Sequence, residues 1–212
     1  MSLSDYFDNI YCINLDERVD RWEQSLSELK GLDLTQVMRF PAVKHVDGAV
    51  GCRDSHVSVI KHAKQNNYKK ILVLEDDFKV LPDSRDHISD ALSELDTIDW
   101  EIFYFGATIA PGATVTPVTT HVAHTNFAYT THAYALNSCV FDHILHAIQK
   151  YKVIDVFYNQ QVVSRGKSFI INPLSIVQRE CYSDIEQKHA DYSQDMIDFF
   201  NKALSNANIT RT

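Results

Sequence analysis

The segment Ile71-Leu72-Val73-Leu74-Glu75-Asp76-Asp77-Phe78 runs four apolar residues directly into three adjacent carboxylates. An apolar run this short reads as a strand buried on both faces, the kind found inside an α/β sheet. Such a strand delivers its last residues to the carboxyl edge of the sheet, where open α/β folds bind ligands. Three acids at that edge repel one another and need a compensating cation. Their hard oxygens suit Mg2+ or Mn2+, and either ion can hold a diphosphate. The plainer alternative is an acidic strand-to-turn junction whose carboxylates cap a helix.

At 212 residues the chain fits one domain with a substantial core. With 45% hydrophobic and 23% charged residues the composition is globular, and the net charge of -8 argues against a nucleic-acid-binding surface. An acidic protein still binds a polyanionic nucleotide where a metal and a few arginines neutralise it locally. Cys12, Cys52, Cys139 and Cys181 are far apart and sit in apolar or strand-like sequence. They read as buried free thiols rather than a disulfide or zinc framework, which suggests a reducing compartment. The first residues have neither the basic nor the apolar region of a signal peptide, and no apolar run reaches membrane-spanning length. A cytoplasmic location is the expectation. His121, His124 and His132 are neighbours in sequence but lack metal-ligand spacing.

Residues 9–15 read as a first strand, with Asp16 capping a helix whose apolar positions Val19, Trp22, Leu26 and Leu29 recur at helical spacing until Gly31 stops it. A second strand over residues 38–43 is interrupted by Pro41, which suggests a sheet edge. A loop over 44–51 contains the turn pair Asp47-Gly48, and a helix over 52–66 leads to the acid-ended strand. Residues 78–81 form a short extension, 84–95 a helix and 100–105 a strand ended by Gly106. Residues 107–120, rich in Thr, Pro, Gly and Ala, read as a flexible loop. Strands over 121–127 and 132–136, helices over 138–150 and 155–165, and a strand over 169–172 follow. The polar tail carries one amphipathic patch at Met196, Ile197, Phe199 and Phe200, expected to pack as a helix. Strands alternating with helices imply an α/β fold with a mostly parallel mixed sheet flanked by helices. The expected organisation is a single domain: a nucleotide-binding half over residues 1–106, an acceptor-side half over 107–182 and a helical tail over 183–212.

Four segments occur in order: Ile13-Asn14-Leu15-Asp16-Glu17-Arg18 with Arg21, Gly51-Cys52-Arg53-Asp54-Ser55-His56, Leu74-Glu75-Asp76-Asp77, and Ser175-Ile176-Val177-Gln178 ahead of Ser183-Asp184-Ile185. Together they resemble glycosyltransferase family 25, which includes bacterial lipooligosaccharide galactosyltransferases and procollagen galactosyltransferases. The resemblance spans residues 9–186. It implies a GT-A fold and transfer of a sugar, galactose first, from a UDP-sugar to a glycan or protein hydroxyl. It further implies Mn2+ (or Mg2+) at the acidic strand end and an inverting mechanism with a carboxylate base. The usual acidic motif of such enzymes is Asp-x-Asp. Here the outer pair is Glu75 and Asp77, which are the expected metal ligands, with Asp76 between them at the nucleotide.

The residues carry their own chemistry. Asn14 offers donors and acceptors suited to a uracil or ribose edge. Arg18 and Arg21 lie one helical turn apart, near a helix N-terminus that favours phosphate. They serve equally well as surface partners of Asp16, Glu17 and Asp20. Gly51 permits tight entry into a helix whose first turns carry Ser55 and His56 beside any anion held there. His56 reads as a donor-sugar or phosphate contact, or as a histidine bonded to its own surroundings. Gln178 and Ser183 are candidates to line the nucleotide site. Asp155, at a helix start, is either an N-cap or the general base, with Asp142 and Asp184 as rivals. The alternative to an enzyme is a sugar-nucleotide or glycan-binding domain that keeps the fold without turnover.

Overall fold

A computed structural model describes residues 1–183 and 188–209. Helix α1 (Leu3–Tyr6) precedes β1 (Asn9–Asn14), α2 (Val19–Gly31), β2 (Met38–Pro41), α3 (Gly48–Gln65), β3 (Lys70–Glu75) and β4 (Phe78–Val80). Then come α4 (Ser84–Leu95), β5 (Ile102–Tyr104), β6 (Val115–Pro117), β7 (Val122–Thr125) and β8 (Ala133–Asn137). The chain continues through α5 (Phe141–Ala147), α6 (Ile154–Gln161), β9 (Ser168–Ile171), β10 (Ile176–Gln178), β11 (Cys181–Ser183), β12 (Lys188–Ala190) and α7 (Ser193–Ile209). Among the described residues an eight-stranded sheet has the order β2-β1-β3-β8-β5-β9-β7-β6. Strands β2, β1, β3, β5, β9 and β6 point one way and β8 and β7 the other, so the sheet is mixed and mostly parallel in direction. Pairs β4–β10 and β11–β12 form two small antiparallel ribbons beside it.

The apolar run of β3 does what its composition requires. Ile71 and Val73 enter a core shared with α3, α5, α6 and α7, while Leu72 and Leu74 enter a second core with α1, α4 and Leu29 of α2. The strand is therefore buried on both faces, and each fully buried aliphatic side chain contributes roughly 1.5–3 kcal/mol. Pro41 ends β2, which is the edge strand of the sheet, as a residue without an N–H should. At Gly106 a Cβ would lie 1.7 Å from the Ile176 carbonyl oxygen, so only glycine lets the end of β5 reach the chain leading into β10. There Phe105 O accepts from Ser175 N and Ile176 N.

Several expectations are corrected. Asp16 does not cap α2: the cap position is Arg18, whose side chain makes no capping hydrogen bond. Gly31 is the last helical residue, and the left-handed turn falls at Asp33. Asp47 and Gly48 do not form a loop turn; the Asp47 side chain accepts from Ala49 N and starts α3 four residues earlier than the apolar pattern indicates. Residues 107–120 are not a flexible loop. Ala107, Ile109 and Val115 are buried, Thr108 and Tyr129 form a β-bridge, and β6 pairs with β7. Turn-forming composition was a poor guide because burial there is set by contacts distant in sequence. Residues 78–81 do not extend β3; Phe78–Val80 turns away and pairs with β10. The helix read over 138–150 is α5 flanked by two 3-10 turns. In the tail, α7 buries Met196 and Phe200 and leaves Phe199 half-exposed. No helix among the described residues is long and apolar enough to cross a membrane.

Candidate active site at the carboxyl edge of the sheet

A cavity of about 400 Å3 opens at the carboxyl ends of β1 and β3. Its wall includes Asn14, Arg18, Arg21, Ser55, His56 and Gln178, together with all three acids, Glu75, Asp76 and Asp77. The pleat sorts those acids. Glu75 continues the alternation of Ile71 and Val73 and faces α3, whereas Asp76 faces α2; Asp77 lies in the turn into β4.

Each acid meets a different environment. Asp76 is held by Arg21 Nη1 at 2.8 Å and by Asn14 Nδ2 at 2.6 Å, and its carbonyl accepts from Ser25 Oγ. Burial nevertheless outweighs these partners and raises its pKa. Glu75 Oε1 accepts from Thr131 Oγ1 at 2.6 Å and lies 3.4 Å from His56 Nε2. Burial disfavours its charge, but His56 and Thr131 together bring its pKa below the ordinary value. Among the described residues the Asp77 side chain has only a long contact to Gln178 Nε2, 3.4 Å from Oδ2, and its buried Oδ1 has no hydrogen-bond partner. Burial and the charges of Glu75 and Asp76 push its pKa up to about 7. Of three adjacent acids, Asp77 is the uncompensated one.

The surrounding elements explain these positions. The β4–β10 ribbon sets Gln178 opposite Phe78 and so beside Asp77, while Arg179 N donates to the Asp77 carbonyl. At Gly51 a Cβ would lie 2.6 Å from Val43 O, so glycine lets α3 pack closely on the chain after β2. Ser55 lines the cavity, and its Oγ accepts from Val43 N and donates to Gly51 O. Asn14 is likewise committed: its amide donates to Asp76 and to Arg18 O, and its carbonyl accepts from Arg39. Arg18 pairs with Asp20 at 3.0 Å while lining the cavity. His56 Nδ1 shares a 2.8 Å hydrogen bond with Tyr134 Oη.

Asp155 is not part of the cavity wall. It is the second residue of α6, whose cap position is Val153, so the N-cap reading is replaced. Its Oδ2 accepts from Thr130 N at 3.0 Å. Burial raises its pKa, and the charge of nearby Glu75 adds to that rise. The rival Asp142 is a surface residue, 79% exposed in its side chain and paired with Lys64. Asp184 and Ile185 lie outside the described residues. Cys12 is buried and Cys52 half-buried, but Cys139 is exposed, unlike the expected buried thiol. His132 is buried beside Thr130, and burial lowers its pKa to about 4; His121 instead pairs with Glu94.

The site residues that escaped the sequence reading include Arg39, Thr131 and Cys52. Arg39 on β2 holds Asn14 and stacks over Trp22 at 5.2 Å. Thr131 meets Glu75 because β8 inserts antiparallel beside β3, a pairing that sequence order does not signal. Cys52 lies within 4.8 Å of donor atoms of His56 and Glu75. Its i, i+4 spacing to His56 on a helix was the available clue.

The fold has counterparts among solved structures. A glycosyltransferase involved in the glycosylation of the major capsid of PBCV-1 superposes with a TM-score of 0.54 at 11% identity, covering 84% of this chain and 96% of that one. A197 from STIV gives 0.51 at 10% identity, with coverage of 85% and 92%. A putative glucose-1-phosphate thymidylyltransferase from Bacillus anthracis gives 0.50 at 11% identity, covering 94% of each chain. These likenesses establish the GT-A type α/β architecture. Sequence comparison with curated proteins finds no match. The model of glycosyltransferase family 25, described as an LPS biosynthesis protein, matches residues 42–205. That span takes in α3, the acidic strand end, β10 and α6, and the chain belongs to glycosyltransferase family 25.

Proposed function

We infer that the chain transfers a hexosyl group, galactose first, from a UDP-sugar to a hydroxyl of a glycan or protein, with inversion at the anomeric carbon. One observation carries the reading: the buried, unpartnered Asp77 Oδ1 beside Glu75 in a cavity at the carboxyl edge of an α/β sheet. A buried carboxylate oxygen without a partner is costly, and a hard cation is the ligand that relieves it. Glu75 and Asp77 would hold Mn2+ or Mg2+, since Arg21 and Asn14 already satisfy Asp76. When bound, the ion supplies charge stabilisation to the diphosphate.

The remaining chemistry belongs to the protein. Arg18 and Lys44 line the cavity wall, paired with Asp20 and Glu17, and would exchange those partners for the UDP phosphates. Asp155 is assigned the base. As the acceptor oxygen bonds to the anomeric carbon, its proton passes to the Asp155 carboxylate. The bond from that carbon to the β-phosphate oxygen breaks, and its electron pair leaves with UDP. A half-buried carboxylate with a raised pKa is better matched to proton abstraction near neutrality than an exposed one.

Calorimetric titration of UDP with Mn2+ and then with EDTA tests the donor site, and equal affinity in both would remove the metal from it. Release of UDP from a panel of UDP-sugars, with and without acceptor, tests turnover. Metal-dependent binding without turnover would favour the alternative of a binding domain on the same fold.

A further inference from the structure

We propose that Cys52 Sγ, His56 Nε2 and a Glu75 carboxylate oxygen form a second kind of metal site, one for a borderline-soft ion such as Zn2+. One donor atom from each residue lies within 4.8 Å of the other two. Cys52 and His56 are four residues apart and share one face of α3, and Glu75 meets them from the end of β3. Tetrahedral bonds of roughly 2.0–2.3 Å need donor separations of about 3.4–3.8 Å, which modest side-chain rotation supplies.

His56 is the second, independent observation. It is 1% exposed, and its Nε2 has no hydrogen-bond partner among the described residues. The 3.4 Å gap to Glu75 Oε1 exceeds the 2.7–2.9 Å of a charge-assisted bond. When Nδ1 donates to Tyr134 Oη, Nε2 carries its lone pair, and a metal ion there would take the place of the proton that Nε2 otherwise directs at Glu75. The hydroxyl of Tyr134 lies 3.0 Å from that of Tyr158, which fixes the ring further. An outer hydrogen bond of this kind orients a ligating imidazole and selects its tautomer. Glu75 Oε1 is similarly steadied by Thr131.

The donor set chooses the ion. Thiolate and imidazole favour zinc over magnesium or manganese, whereas the oxygens of Glu75 and Asp77 favour the hard ions. Three protein ligands leave one position open toward the cavity, the pattern of a reactive or exchangeable zinc site. The inference does not depend on the transferase reading, although Glu75 belongs to both sites. Zinc bound at Cys52 and His56 would therefore compete with a hard ion for that carboxylate.

The full chain, stripped of metal, is titrated with Co2+ as an optical probe and then with Zn2+. One equivalent of Co2+ should produce a thiolate-to-metal charge-transfer band, and Zn2+ should abolish it. Cys52→Ser should lose the band; Asp77→Asn and Cys139→Ser should keep it. Absence of the band, or its survival in Cys52→Ser, overturns the site. Should Cys52→Ser fail to fold, iodoacetamide labelling of the wild-type chain decides instead. Zn2+ should prevent modification of Cys52 while the exposed Cys139 reacts as before, and equal Cys52 labelling with and without Zn2+ overturns the site. Mn2+-dependent UDP binding on the same preparations separates the two readings. A chain that binds UDP without the cobalt band loses only the Cys52 site, and one with the band but no UDP binding retains it.

Discussion

At the amino edge of the sheet, just before β5, Glu101 is almost wholly buried and receives the Arg165 guanidinium as a fork, Nε at 2.6 Å and Nη2 at 2.9 Å. At the carboxyl edge, just after β3, Asp77 is half-buried beside two further acids, and its buried Oδ1 has no partner among the described residues. The two strands point the same way, so these carboxylates sit on opposite edges of one sheet. Glu101 is arranged as structural carboxylates are: its charge is matched inside the fold. Asp77 is left unmatched where a cavity gives access, and the proposed metal and donor site rests on that mismatch.

Asp77→Asn should break the comparison most severely. It removes the charge that a hard ion requires, and transfer should fall by a factor on the order of 10² to 10³. The metal-free fold should become more stable, because a buried like-charge conflict disappears. UDP-release kinetics and thermal unfolding measure both. Activity near wild type would remove Asp77 as an essential ligand. Asp155→Asn should come next, lowering turnover by about 10² while leaving UDP binding nearly unchanged, since the base acts on the other substrate. Asn can still accept from Thr130 N, so folding should be preserved. A stable variant with near-normal turnover would move the base away from Asp155, and Asp142, exposed and paired with Lys64, would be a poor successor.

The sheet's titration sharpens the contrast further. In metal-free protein the folded pKa of Asp77 lies near 7, above its unfolded value. Between about pH 4 and 7 the native state thus keeps a proton that the unfolded chain has released, and the Asp77 contribution to stability falls as pH rises, by at most about 1.4 kcal/mol per pH unit. His132 acts in the opposite sense: its folded pKa near 4 lies below its unfolded value, so its contribution rises with pH between about 4 and 6.5. The Asp77 part is therefore read as the difference between wild type and Asp77→Asn in denaturant unfolding, and the variant should gain stability relative to wild type as pH rises. A difference that stays constant across the window would contradict the burial argument.

Much of this was legible in the sequence, for particular physical reasons. The run from Ile71 to Leu74 could only be a strand buried on both faces, and its carboxylates had to emerge at an edge. The residues Asn14, Arg18, Arg21, Ser55, His56, Glu75, Asp76, Asp77 and Gln178 all line the cavity. Their partners were not legible. Thr131 reaches Glu75 only because β8 enters antiparallel, and Asn14 is turned inward by Arg39 on a neighbouring strand. Ser55 lines the cavity, but its hydroxyl bonds backbone groups that the sequence does not pair. Residues 107–120 misled for the opposite reason. Their Thr, Pro and Gly report local turn preference, while the burial of Val115 follows from β6 joining the far end of the sheet. Residue type registered the chemistry; the pairing of distant strands decided which groups remained available for it.

The smallest expected effect tests the other half of the comparison. Glu101→Gln keeps the size of the side chain but removes the charge that Arg165 binds. Removing one partner of a wholly buried pair costs several kcal/mol, because the remaining charge is stranded. Arg165 is 44% exposed in its side chain, so water can recover much of its solvation. The net loss should be about 1 kcal/mol, read as a shift in the denaturant midpoint with the slope unchanged. UDP binding and turnover should be unaffected, since Glu101 lies on the edge away from the cavity. The sign of the stability change should therefore oppose that of Asp77→Asn, although both variants neutralise one acid at an edge of the same sheet. If Glu101→Gln also stabilised the chain, burial alone would govern both carboxylates, and the missing partner of Asp77 would cease to distinguish a ligand site from a structural one.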